Sequence, residues 1–153
     1  MNCKWHILIG FIFSYILVYF FKFSLFFSLV VFLSSFLIDI DHYFWYVFTF
    51  KEWNPLAALR WHKKHHTKWV LVGQKERAKF KKGVFIFHSI LLVTLLGILS
   101  TLNLFFFSIF LGVLVHIIAD LIALVYYHEP LYIKLCPYLV MRRNKNKESF
   151  KKL

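Results

Sequence analysis

Three short groups of histidine and aspartate interrupt otherwise apolar runs: Asp39-Ile40-Asp41-His42, His88-Ser89, and His116-Ile117-Ile118-Ala119-Asp120. Ionisable side chains in an apolar helix are costly unless they are paired or put to use. His116 and Asp120 are four apart, so they project from one helical face, a spacing that lets two ligands reach one ion. Asp39 and His42, three apart, also share a face. Asp41 points away from them in an intact helix, so both aspartates serve one site only where the helix ends or unwinds. Taken singly, each group has a plain structural explanation: a solvated helix end, a packed interfacial histidine, a buried hydrogen-bonded pair. Together they bring His or Asp from three segments towards one level, in a chain with only 7 acids. Mixed imidazole and carboxylate ligands suit zinc, with manganese or iron as alternatives, better than calcium. A divalent ion there polarises a phosphoryl or acyl group and lowers the pKa of a bound water.

The elements that must position these residues are helical. The 153 residues are 60 % hydrophobic and 22 % aromatic, with 20 phenylalanines, and the mean hydropathy is +0.65. So much bulky apolar surface requires lipid to cover it. The pattern predicts an all-α integral membrane protein forming a single domain, with about four spans over 5–21, 23–38, 84–102 and 104–127. Residues 5–38 as one helix would run about 50 Å against a hydrocarbon core of about 30 Å, so a break near Lys22 is expected. The first span reads as an anchor rather than a cleaved signal, since its Phe and Tyr residues offer no small-residue cleavage site. His88 then lies about 6 Å inside the third span, with Asp120 about 10 Å and His116 about 16 Å inside the fourth.

Charge is segregated between the apolar runs. The formal net charge is +12. The basic residues crowd into a loop over 39–83 and a tail over 142–153, the tail holding Arg142, Arg143, Lys145, Lys147, Lys151 and Lys152. By the positive-inside rule both segments face the cytoplasm, which places both termini there in a cytoplasmic or inner membrane. Anionic lipid headgroups are the partner this distribution fits, in preference to nucleic acid. Within the loop, Asn54-Pro55 starts an amphipathic helix running to about Thr67. It carries His62-Lys63-Lys64-His65-His66, which reads either as further metal ligands or as a basic interfacial helix that contains histidines. His6 and His128 read as ordinary interface residues. Residues 131–141, broken by Pro137, are expected in the interface. Cys3 and Cys136 form no Cys-x-x-Cys pair and read as plain thiols.

Asp39-Ile40-Asp41-His42, His88-Ser89 and His116-x-x-x-Asp120 resemble, in order and composition, the membrane-bound metal-dependent hydrolases. That family includes the LexA-binding inner-membrane-associated hydrolases and is similar to the zinc-dependent phospholipase C group. The resemblance spans residues 30–125. It implies a metal shell of Asp39, Asp41, His42, His88, His116 and Asp120. It further implies Asp41 as a base towards the metal-bound water, Ser89 at a ligand or the substrate, and a phosphoester or lipid substrate at the cytoplasmic face. The cationic loop, through Arg60, Lys63 and Lys64, would recruit that anionic substrate. The family's middle motif, His-Arg-Gly-x-Thr-His-Ser, is altered: Gly83 stands at its first histidine, Val84 at its arginine and Phe87 at its threonine. His62, His65 or His66 would then supply the missing ligand, or the site is degenerate. Two other readings differ in class. A di-iron desaturase or hydroxylase would use the His-x-x-His-His box, and a membrane scaffold would use the basic loop with no catalysis.

Overall fold

The computed structural model describes residues 3–145 and 147. The secondary-structure elements of the described residues are all helices: α1 Cys3–Tyr19, α2 Leu25–Leu37, α3 Ile40–Phe50, α4 Pro55–Leu71, α5 Gln74–Arg77, α6 Ile90–Leu99, α7 Leu104–Tyr126, α8 Tyr132–Leu135 and α9 Pro137–Asn144. Lys151 and Lys152 of the basic tail lie outside the described residues.

The helix boundaries have local causes. The chain reverses between α1 and α2 at Lys22, which takes a left-handed φ of 53°, although no Gly, Pro or Asn marks the place. Asn54 caps α4, its side-chain oxygen accepting from Leu56 N at 2.9 Å, with Pro55 in the first turn. Asn103 caps α7 by accepting from Phe105 N and Phe106 N at 3.0 and 3.1 Å. α2 and α3 continue each other as one helical stretch, Leu25–Phe50. At their joint the bonds tighten to i→i−3, Asp39 N to Phe36 O and His42 N to Asp39 O.

Two helical stretches, Leu25–Phe50 and Leu104–Tyr126, are long and apolar enough to cross a membrane; α1 and α6 are apolar but shorter. The expected third span over 84–102 differs most. Residues 84–89 are not helical and α6 begins only at Ile90. Its 10 residues rise about 15 Å. The cause lies at Phe87, whose backbone N–H donates to Asp41 Oδ2 at 3.2 Å instead of to a helical carbonyl. The expected loop over 39–83 is likewise mostly helix, holding α3, α4 and α5.

α7 packs most extensively on α2, and α1 packs on α2 beside it. The α2–α7 seam is made of small residues. On these two helices Ser28, Ser35, Ser108 and Gly112 are buried, and Ser35 and Ser108 turn their hydroxyls onto their own helix carbonyls. A Cβ on Gly112 would collide with the Val31 carbonyl. Small residues allow this backbone approach between apolar helices. Ile38, Leu96, Val113 and Ile117 form the apolar cluster next to it.

A second anchor closes the opposite end of α7. Buried Glu129 pairs with Arg77 at 3.2 Å and Lys82 at 2.9 Å, and accepts from Trp69 Nε1 at 3.2 Å. Arg77 also donates to the Tyr127 carbonyl at 3.1 Å. Burial lowers the Lys82 pKa, and Glu129 opposes that shift. Arg77 and Lys82 thus serve α4–α5 docking rather than a free cationic surface.

Two stability predictions follow from these contacts. Gly112→Val should lower stability by about 1–3 kcal/mol through overpacking, seen as a lower melting temperature in detergent. Gly97→Ala should not, because a Cβ there meets only the Phe110 ring at 3.6 Å. Glu129→Gln strands two buried cations and should cost about 3 kcal/mol, with trypsin cleavage opening between Lys75 and Lys82.

Candidate metal centre

The three sequence groups converge. α7 presents His116 and Asp120 inward, 1 % and 2 % exposed, and the segment before α6 brings in His88, 0 % exposed. The α2–α3 joint supplies Asp39 and Asp41. His88 Nε2, His116 Nε2 and Asp120 Oδ2 form a triangle with sides of 3.0, 3.4 and 3.5 Å. Asp39 Oδ1 completes a second triangle on the same edge, 3.4 Å from His88 Nε2 and 3.5 Å from His116 Nε2. Ligand atoms bound to zinc at about 2.0–2.1 Å in a tetrahedral shell stand about 3.3 Å apart. The donor set and its spacing therefore fit a divalent ion.

The hydrogen bonds behind the two rings sharpen the point. His116 Nδ1 is 2.7 Å from the Ser35 carbonyl, which can only accept. His88 Nδ1 is 3.0 Å from Asp41 Oδ2. Both Nδ1 atoms therefore donate, and in the neutral rings both Nε2 atoms carry lone pairs. The two Nε2 atoms face each other at 3.0 Å between two carboxylates, a donor set that could hold a metal ion. Carbonyl and carboxylate partners behind the ligating histidines are the arrangement seen at metal sites generally.

Asp41 takes a different place from the one expected. Its Oδ2 accepts from Phe87 N and faces His88 Nδ1, and its Oδ1 is 2.9 Å from His42 Nδ1. It stands behind His88, orienting that ring. The tightened joint is what lets Asp39 and Asp41 face one site. His42 lies at the margin, its Nδ1 3.4 Å from Asp39 Oδ1 and its ring stacked on Phe85 at 4.0 Å. His88 itself is not one turn inside a helix but in the non-helical segment, where Asp41 holds it. Ser89 caps α6, its hydroxyl accepting from Leu92 N at 3.3 Å, rather than contacting the cluster.

The loop histidines diverge. His62 Nε2 donates to the His42 carbonyl at 3.1 Å and so touches the rim. His65 stacks on Trp61 at 3.9 Å, and His66 lies 6.2 Å from the Tyr127 ring. Burial lowers the pKa of both His62 and His66. Among the described residues, the groupings able to hold an ion are built from His6, Asp39, His42, His88, His116 and Asp120. A Cβ on Gly83 would run into the Phe85 ring, so Phe85 fills the space beside Gly83. Arg60, Lys63 and Lys64 line a shallow groove with Thr67 and Lys68 on the exposed side of α4, while His62 reaches the site from the same helix.

Two residues of the site were not singled out from the sequence. His6 is 2 % exposed, stacks on His116 at 3.8 Å and points Nε2 at Asp120 Oδ1 at 3.3 Å. Its signal was Gly10, one turn on, where a Cβ would collide with the Ser35 side chain; the close approach seats His6 at the cluster. Lys134 pairs with Asp120 Oδ2 at 2.9 Å. Its signal was being the lone cation in the apolar stretch 131–141.

No protein-family model, curated protein or solved structure matches the chain.

Because Asp41 touches the cluster through His88, any divalent-ion affinity of the cluster should fall about 10–100-fold in Asp41→Asn without being abolished, as read by competition against a chromogenic chelator.

Proposed function

We propose that this chain is an integral membrane, metal-dependent hydrolase of the membrane-bound metal-dependent hydrolase type, acting on a phosphoester or lipid at the cytoplasmic face. The observation that carries the metal is the pair of facing Nε2 lone pairs of His88 and His116, flanked by Asp39 and Asp120. A divalent ion bound there, zinc before manganese or iron, would act as a Lewis acid towards a phosphoryl or acyl group and activate water. The chain's own part is to hold His116 through the Ser35 carbonyl and His88 through Asp41. It also buries His88, His116 and Asp120 beneath α1, and brings cationic residues of α4 near the site through His62.

The membrane reading rests on poor burial of the long helices. Only 28 % of the Leu25–Phe50 window and 39 % of the Leu104–Tyr126 window is buried, far from what a soluble core helix shows. Phe11, Phe26, Leu91, Ile98, Ile122 and Val125 are all more than half exposed, and lipid is the cover that suits such surface. α1 and α6 would complete four apolar helices; both are short, and thinning of the bilayer accommodates that. The basic residues of α4 and the tail support an orientation with both termini cytoplasmic.

The test begins with metal analysis by mass spectrometry on detergent-purified protein, beside an Asp39→Ala/His116→Ala variant that still inserts into membranes. Near-stoichiometric zinc or manganese in the parent, lost in the variant, is the expected result, together with metal-dependent cleavage of bis(p-nitrophenyl) phosphate or a short-chain phospholipid. A parent that binds no divalent metal would sink the reading. Iron in place of zinc would redirect it to oxygen chemistry, which a two-histidine, one-carboxylate set also supports.

A further inference from the structure

The metal-dependent reading leaves one buried charge at the site without a role. Lys134 comes from α8, between Pro130 and Pro137, and is 7 % exposed. Its Nζ is 2.9 Å from Asp120 Oδ2, 3.3 Å from His42 Nε2 and 4.8 Å above the Phe85 ring. Asp120 Oδ2 is also the oxygen that faces both histidine Nε2 atoms. The lysine therefore stands directly against the ligand triangle. His42 donates through Nδ1 to Asp41, which leaves its Nε2 as an acceptor for the ammonium. Phe85, stacked on His42, forms the apolar wall beside them.

This placement has a consequence for what binds. An ion on Asp120 Oδ2 would share that oxygen with the ammonium, and the two positive charges would repel. An anion lying between them relieves both. Lysine is a compact point charge on a flexible stem and a common phosphate binder. We propose that Lys134 is a substrate-binding residue that anchors the phosphate group of the substrate beside the ion, which makes the substrate class an anionic phosphoester. The inference rests on the metal-dependent reading above.

The test uses the full chain, zinc-loaded in detergent, with inorganic phosphate and dihexanoyl phosphatidic acid titrated separately by calorimetry. Zinc stoichiometry is measured in the same samples. Lys134→Met should keep its zinc and bind phosphate roughly tenfold or more weakly, while Lys134→Arg should keep most of the affinity. Tighter binding of phosphatidic acid than of phosphate would identify a lipid headgroup as the source of the anion; equal binding would point to a free phosphoester. Unchanged phosphate affinity in zinc-bearing Lys134→Met, or zinc-loaded parent that binds neither ligand, would overturn the role of Lys134 and leave the metal site standing. Loss of zinc from both variants would make the lysine part of the ligand frame instead. A parent that takes up no zinc would remove the metal reading itself and this inference with it.

Discussion

The architecture depends on one electrostatic constraint, the approach of His88 Nε2 to His116 Nε2 at 3.0 Å within a buried, carboxylate-flanked space. Each ring is locked from behind by an acceptor, the Ser35 carbonyl for His116 and the Asp41 carboxylate for His88. Neither ring can turn its lone pair away without leaving an acceptor buried and unmatched, which is expensive in a low-dielectric interior. The cluster thus presents two imidazole nitrogens and two carboxylates to one small space.

The helices are arranged to make that approach possible. His116 reaches the Ser35 carbonyl only because Gly112, one turn earlier, lets α7 close on α2. Gly10 does the same for α1 and so seats His6 over the His116 ring. The apolar cluster of Ile38, Leu96, Val113 and Ile117 fills the space alongside. Packing between these apolar helices thus follows from close backbone approach at small residues.

Polar groups away from the cluster hold the remaining segments. Glu129 gathers Arg77, Lys82 and Trp69 and fixes the α4–α5 segment to the end of α7. Asn144 pairs with both backbone groups of Lys82 at 2.9 and 2.8 Å and ties α9 to the same segment. This frame keeps α4 in place, so that His62 meets the His42 carbonyl while the cations of α4 remain exposed.

Much of this was legible in the residues themselves. Periodicity and Asn103 delimit α7, Asn54-Pro55 starts α4, and the spacing of His116 and Asp120 places both on one face. These are local signals, set by capping chemistry and helical geometry. The relation of Asp41 to Asp39 was legible only as a condition, that the helix be interrupted, and the tightened joint meets it. The rest was decided by tertiary contacts. The carboxylate of Asp41 captures Phe87 N and His88, which shortens the third apolar helix although residues 84–102 are apolar enough to extend it. His6 and Lys134 belong to the cluster because α1 and α8 fold onto it, and no spacing in the chain encodes contacts across such separations. The apolar pattern and the ligand types are properties of the chain; which nitrogen faces which oxygen follows from helices approaching one another, because a donor's partner in a buried site is chosen by the whole fold.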